Sequence, residues 1–501
     1  MTDERSTGRE AQMSNITAAV NVAETVRSTL GPAGMDKCLI DEQGETIITN
    51  DGVTILRELD TAHPGATMMV EASKTQEAAC RDGTTSVVVL AGQMLALSEG
   101  LLRRGIHPRT IIRSFNMASE TTLDSLPKAN EVDINLVAST ALRGKAAESH
   151  LQLAADLVVD VAQSVDGDMD RVRVITQSGG SMADSYVHKG LVLSKGFSAP
   201  EVEHDPNSSI LMLNGGLEGF NLKEIQMQFT DPGQLQAIQQ QEMTMLGGMV
   251  QRILDLGVGI VFVRDGVHEA IVKALAANSV GVVSRLQESD MLALNRITGK
   301  PVYHRLEDLD DELTLENTPT HVEQARIGDL DYVTVRADDA DVVTLVIRGA
   351  TRQTLDEYER AFDDALGVTC LYMKDGGAYP GGGAVLSKVA GVVREKATTI
   401  SGISARERMC LEAYADSLEI IPAAIAANAG MDPLDIVMEL RSCPDSWGLY
   451  IDEEGAGEVM DTGKKGIYEP VSLVRQIITS ATEVSTSILR IDDIIAKRPR
   501  A

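Results

Sequence analysis

The chain has 501 residues, more than one hydrophobic core usually serves, so two or three domains are expected. Its 43% apolar content is ample for cores, but aromatics make up 3% with a single tryptophan, Trp447, which argues against base-stacking or sugar-binding aromatic platforms. A formal charge of −29 sets the surface against nucleic acid and against an anionic membrane as the main partner.

From Met13, the residues Ile16, Val20, Ala23, Val26 and Leu30 keep helical spacing up to Gly31-Pro32, the usual glycine and proline of a helix end. A short strand is expected at Thr46–Thr49, then a turn at Asn50-Asp51-Gly52 and a helix from Val53 to Leu59. Thr84 and Thr85 open a helix that runs through Leu95 and Leu101 to Gly105, and Ile111 begins another. The longest apolar stretch, Ser86 to Leu97, is interrupted and too short to cross a bilayer, so no membrane span is expected. After Pro127 the character changes, with a helix at Leu151–Val161 and strands at Arg171–Thr176 and Gly190–Leu193.

Between Ser209 and Val302, short apolar strands (210–213, 258–263, 280–283) alternate with helices (235–254, 267–277, 289–298), an α/β arrangement. Acidic, irregular sequence is expected from Glu307 to Asp341, followed by a strand at Val342–Ile347 and a helix from Thr354 to Leu366. The C-terminal third reads as mostly helical, with long helices at Ser404–Ala427 and Val471–Ile488 and a closing strand within Leu489–Ile495. Five scattered cysteines without a Cys-x-x-Cys pair suggest neither a disulfide framework nor a zinc site and suit a reducing, cytoplasmic interior. The acidic balance also suits a salt-rich cytoplasm, because the screening length falls from about 10 Å at 0.1 M salt to about 3 Å at 1 M.

No Gly-x-x-x-x-Gly-Lys-Ser/Thr loop is present, so a phosphate cradle has to come from elsewhere. Cys80-Arg81-Asp82-Gly83-Thr84-Thr85-Ser86 joins a carboxylate, a permissive glycine and three hydroxyl residues to a helix start, where free N–H groups attract anions and an aspartate can hold Mg²⁺. The same residues also make an ordinary helix cap. Gly31-Pro32 closes one helix and Gly381-Gly382-Gly383-Ala384 opens another, as a second cradle or as a hinge. Asp363 and Asp364 point about 100° apart on a helix, so at most one faces a given site. Lys145, after Arg143-Gly144, is either a surface cation or a phosphate contact.

Taken together and in order, these segments resemble a group II chaperonin subunit of the archaeal thermosome type. The resemblance rests on Thr29-Leu30-Gly31-Pro32 with Gly34-Met35-Asp36-Lys37, on Thr49-Asn50-Asp51-Gly52, and on Met68-Met69-Val70 before Lys74-Thr75-Gln76. It continues with Asp82-Gly83-Thr84-Thr85, Asp231-Pro232, Gly381-Gly382-Gly383-Ala384, Ile420-Ile421-Pro422 and the terminal 489–495 segment.

The resemblance implies a multi-domain α and α/β fold. Residues 1–129 and 381–501 would form a mainly helical equatorial ATPase domain, and 130–195 with 342–380 a small α/β hinge domain. Residues 196–341 would be an inserted α/β apical domain with a helical protrusion that serves as a built-in lid. It implies ATP and Mg²⁺ as cofactors. Leu30, Gly31 and Pro32 would line the nucleotide, Asp82 would hold Mg²⁺, and Gly83, Thr84, Thr85 and Ser86 would bind phosphate. Asp51 would sit beside the γ-phosphate, Asp364 would orient the attacking water, Lys145 would respond to the γ-phosphate, Gly382 would approach the ribose, and Asp461 would lie near the adenosine. Partners would be unfolded or partly folded proteins and identical or paralogous subunits in a double ring.

Three positions depart from the family pattern: Arg81 for a glycine, which places a bulky cation next to the expected phosphates, Ala33 for a frequent lysine, and Lys464 for an acidic or neutral residue. The helix expected from Gln234 carries Leu235, Ile238, Met243, Met245, Leu246, Met249, Val250 and Ile253, a methionine-rich stripe that suits core packing or poorly specific contact with clients. A weakly hydrolysing scaffold subunit and a small-molecule phosphotransferase are the alternative functions.

Overall fold

The computed structural model describes residues 5–495 except 41–43, 45, 60, 62, 200–204, 206, 220–231, 310–319, 328–329, 338–341 and 453. The chain forms two compact units, one from Met1–Met169 with Thr351–Ala501 and one from Asp170–Ala350.

The first unit is helical and is built around the Thr84–Arg103 helix. Val87, Val88, Val89, Leu90 and Ala91 are five successive residues with at most 2% exposure, so this turn of the helix is apolar and packed on every face. It is longer than the apolar stretch read from the sequence. At 20 residues it is long and apolar enough to cross a membrane, but most of it is buried among its neighbours, as expected of a core helix. The Arg9–Arg27 helix packs directly against it. A Cβ on Gly92 would stand 2.2 Å from Cβ of Ala23, so the crossing depends on two very small residues. The chain ends meet here: Arg5–Thr7 pairs antiparallel with Asp493–Ile495. The final strand takes only the end of the expected 489–495 segment, whose first residue, Leu489, is 1% exposed and closes the Val471–Leu489 helix.

Two helices in this unit differ from the sequence reading. The expected 404–427 helix is divided into Ala405–Leu418 and Ile420–Asn428. Pro422 has no N–H to offer the carbonyl of Leu418, which breaks the ladder at Glu419. Glu419 is 3% exposed and is held by Arg394 and Arg441. The helix expected to stop at Leu366 instead runs Arg352–Asp375 and ends at Gly376, whose φ of 67° is the left-handed termination glycine permits. Gly367 lies inside it because another side chain occupies the space its Cβ would need.

The second unit is α/β. The parallel strands Ile210–Leu213, Ile260–Val263 and Gly281–Val283 are buried at every position, as suits a sheet covered on both faces. Val343–Gly349 pairs parallel with Val172–Ser178 and antiparallel with Tyr186–Lys189. The region expected to be irregular contains an antiparallel hairpin, Thr320–Ile327 with Leu330–Ala337, in register from Thr320↔Ala337 to Ile327↔Leu330. Its acidic flanks obscured an apolar set, Val322, Val333 and Val335, all fully buried. The methionine-rich helix spans Pro232–Asp255. Leu246 and Ile253 are buried, Met249 and Val250 are half-buried, and Met243 is 60% exposed, so one stripe serves both core and surface. Asp231 and the side chain of Leu235 lie outside the described residues.

Candidate functional site

The Pro64–Cys80 helix ends in a left-handed turn at Arg81, with φ of 60°, whose N–H donates to the carbonyl of Glu77. Gly83, with φ of 75°, then begins the Thr84–Arg103 helix as an N-cap without a side-chain hydrogen bond. Asp82 is therefore not the cap, and its carboxylate is left to face the cavity beside Thr84, Thr85 and Ser86. The amide of Gln76 donates to the carbonyl of Asp82 at 3.0 Å and fixes this turn.

The Ala384–Thr399 helix starts the same way, at Gly383 with φ of 76° and no side-chain cap. A Cβ on Gly382 would lie 2.4 Å from the carbonyl oxygen of Leu449, so only glycine allows that backbone approach. Both uncapped helix starts border one cavity of ≈ 240 Å³. Unsatisfied N–H groups and the positive ends of two helix dipoles make it a place for anions.

The end of the Arg9–Arg27 helix supplies a third wall. Gly31 has φ of 85°, and the amide of Asn428 donates to the carbonyls of Arg27 and Leu30 at 3.0 and 2.8 Å, which holds Leu30-Gly31-Pro32 in place. The 143–145 loop lies over it: a Cβ on Gly144 would be 2.8 Å from Cα of Pro32, and Asn50 donates its amide to the carbonyl of Gly144 at 2.8 Å.

This packing brings charge to the cavity. Lys145 Nζ donates to Asp364 Oδ2 at 2.6 Å, across 219 residues of sequence, and stands 3.8 Å from Asp82 Oδ1. Asp51 N-caps the Gly52–Glu58 helix, accepting from the N–H groups of Val53 and Thr54 and from the Thr54 hydroxyl at 2.6 Å. Burial pushes the Asp364 carboxyl up to about 7, with Asp82 and Asp51 adding to the rise and Lys145 opposing it. Burial alone would pull Lys145 down, but Asp364 and then Asp82 outweigh it and hold the ammonium above its ordinary range. Glu469, from the Tyr468–Pro470 strand, is likewise pushed up to about 7 by burial and by the charge of Asp82.

Leu30, Gly31, Pro32, Asp51, Asp82, Gly83, Thr84, Thr85, Ser86, Lys145, Asp364 and Gly382 all line this one cavity. Asp461 does not. It ends the Gly457–Asp461 strand opposite Trp447, with its carboxylate 3.4 Å from Nζ of the exposed Lys464. Arg81 also departs from expectation: its guanidinium bonds Asp363 at 2.6 Å and is absent from the cavity wall. Asp363 thus points away from Asp364, as the helix geometry requires.

Arg143, Glu357, Arg360, Tyr450 and Glu469 line the cavity and were not singled out from the sequence. The signal for Arg143 was its place before Gly144-Lys145; Glu469 belongs to no motif in the sequence reading. Among the described residues no three His, Cys, Asp or Glu side chains converge as a preformed metal site. Mg²⁺ is commonly held by one or two carboxylates together with substrate phosphates, and the Asp82 carboxylate beside the uncapped helix starts is of that chemical kind.

Geometry and chemistry together suit an anion such as a polyphosphate, in a cavity assembled from widely separated segments and without a P-loop. The TCP-1/cpn60 chaperonin family profile matches residues 22–499. The chain is 39% identical to a thermosome subunit of Methanopyrus kandleri over 99% of this chain and 93% of that one. It is 38% identical to thermosome subunit alpha of Halobacterium salinarum and 38% identical to thermosome subunit 1 of Haloferax volcanii, each over 98% of this chain and 90% of the relative. The chain belongs to the TCP-1/cpn60 chaperonin family, as a group II subunit of the archaeal thermosome type that hydrolyses ATP to assist protein folding.

Proposed function

We propose that the cavity around Lys145 is the ATP site and that hydrolysis there drives closure over a bound, incompletely folded protein. The observation that carries this is the meeting of Lys145 with Asp364 and Asp82 beside two uncapped helix starts. The N–H groups and hydroxyls of residues 83–86 and the backbone at Gly382 bind and orient the polyphosphate, while Leu30-Gly31-Pro32 form an apolar wall. Asp82 holds Mg²⁺, which when bound neutralises the phosphate oxygens. Asp364 orients a water for attack on the terminal phosphorus and accepts its proton as the bond to ADP breaks. Asp51 sits beside the terminal phosphate, and Lys145 exchanges its bond to Asp364 for one to that phosphate.

On this reading residues 1–129 with 381–501 form the ATPase domain, 130–195 with 342–380 the hinge, and 196–341 the client-binding and lid domain. Exposed Met243 and its half-buried neighbours supply adaptable apolar contact for unfolded chains, whose isolation prevents aggregation. Subunits close into a double ring in the cytoplasm, and the charge of −29 suits a salt-rich one. The test is ATP-dependent refolding of a denatured protein with protease protection of the captured chain. Refolding without protection, or protection that does not depend on ATP, would contradict the lid mechanism.

A further inference from the structure

Arg81 is one of four non-glycine residues with a left-handed backbone among the described residues, and the bulkiest side chains are the least suited to that conformation. Its side chain is well accommodated all the same. The stem lies over Gly367, where a Cβ would come within 2.3 Å of Arg81 Cβ and 2.4 Å of its Cγ, and Nη1 reaches Asp363 Oδ2 at 2.6 Å. Strain in the backbone, a vacancy in the facing helix and an ion pair therefore coincide at one side chain.

The two ends of this bridge have informative neighbours. Arg81 is bonded to Asp82, and Asp363 to Asp364, the two carboxylates that Lys145 spans from inside the cavity. The loop and the Arg352–Asp375 helix are thus cross-linked twice, by Lys145 within the cavity and by Arg81 outside it. We infer that Arg81 is a positioning residue for ATP hydrolysis: through Asp363 it latches the Arg352–Asp375 helix to the Asp82 turn and fixes the separation of Asp364 from the metal-bound phosphate. The inference rests on the proposed roles of Asp82 and Asp364. It explains how that separation is held when Lys145 moves to the nucleotide, because the outer bridge does not involve the lysine.

The ion pair is about two fifths exposed at both ends, and such pairs add little to stability. A purely structural role therefore predicts almost no effect on turnover when it is removed. The test compares steady-state ATP hydrolysis by the assembled protein and its Arg81→Gln, Asp363→Asn, doubly substituted and Arg81→Lys forms, with Arg81→Gly as the variant that also relieves the backbone. Asp364→Ala is measured alongside.

The expected result is a three- to tenfold fall in kcat for Arg81→Gln and for Asp363→Asn, with KM for ATP unchanged within twofold. The double variant should be no worse than either single one, because both remove the same bridge. Arg81→Lys should recover part of the loss, and Arg81→Gly should lose kcat while its melting temperature is unchanged or higher. Wild-type kcat in both Arg81→Gln and Asp363→Asn, or a double variant whose losses multiply, would overturn the latch. If Asp364→Ala abolishes turnover while the latch variants are normal, only the latch fails; if Asp364→Ala is itself normal, the reading of the site fails and the latch with it.

Discussion

Replacing Lys145 with methionine keeps the length of the side chain and removes its charge, which leaves Asp364 and Asp82 facing each other without a cation. At 2.6 and 3.8 Å, with an effective dielectric constant of about 20, the lost attractions are about 6 and 4 kcal/mol before desolvation is counted. The lysine is only about one fifth exposed, so its removal also recovers a desolvation cost, and the net penalty expected for stranding a buried partner is about 3–5 kcal/mol. Asp364 can escape part of this by taking up a proton, since its carboxyl is already pushed up to about 7 and loses the cation that opposed the rise. A carboxyl with a raised folded-state pKa favours the folded protein below that value and penalises it as pH climbs through it, so the deficit should widen from pH 6 to pH 8. For a unit of about 320 residues, 1 kcal/mol corresponds to about 1.5 °C, so a melting temperature about 4–7 °C lower is expected at pH 8 without nucleotide, and a smaller loss at pH 6. Thermal unfolding at the two pH values measures this. An equal loss at both, or none at pH 8, would refute the electrostatic account of the cavity.

Two further substitutions, one with a control, probe other links. His188 is 6% exposed, and burial with Arg336 nearby holds its imidazole down at about 4, so the folded protein loses stability as pH falls from about 6.5 to 4, by up to roughly 3 kcal/mol. His188→Leu should flatten the melting temperature across that window, and an unchanged acid slope would show that His188 is not its source. Gly382→Ala places a Cβ 2.4 Å from the Leu449 carbonyl oxygen at a backbone φ of 67°, and should weaken ATP binding about five- to hundredfold in a titration, by an extra cost of about 1–3 kcal/mol. Gly430→Ala is the control: its φ is 74° but nothing lies within 4 Å of the added carbon, so the ATP Kd should not change. Equal Kd values for all three proteins would remove Gly382 from the binding wall.

The helical scaffold and much of the cavity were legible because they rest on local signals. Asp82-Gly83 and the 381–383 glycines mark helix starts, Gly31-Pro32 follows shortly after a helix that ends at Arg27, and the groups proposed to bind phosphate sit at these ends. Helix geometry allowed only one of Asp363 and Asp364 to face the site, and the family resemblance selected Asp364. What was not legible depends on distant partners. The helix through Gly367 looked finished there because the residue that fills the space, Arg81, lies far away in sequence. Arg81 looked like a cation aimed at phosphate, since its left-handed backbone and its partner Asp363 exist only in the folded chain. The 320–337 hairpin was hidden by acidic neighbours that outweigh a few alternating valines in any composition-based reading. Asp461 matched a motif, but its strand carries the carboxylate to Lys464 instead of the cavity.

The most direct test of the account is ATP turnover by the assembled protein and its Asp364→Ala form, with ATP affinity measured in parallel. Removal of a group that orients water and accepts its proton should lower kcat by about 10²–10⁴-fold and leave the ATP Kd within a fewfold of its original value. Equal turnover in the two proteins would contradict the assignment of this cavity as the site of hydrolysis.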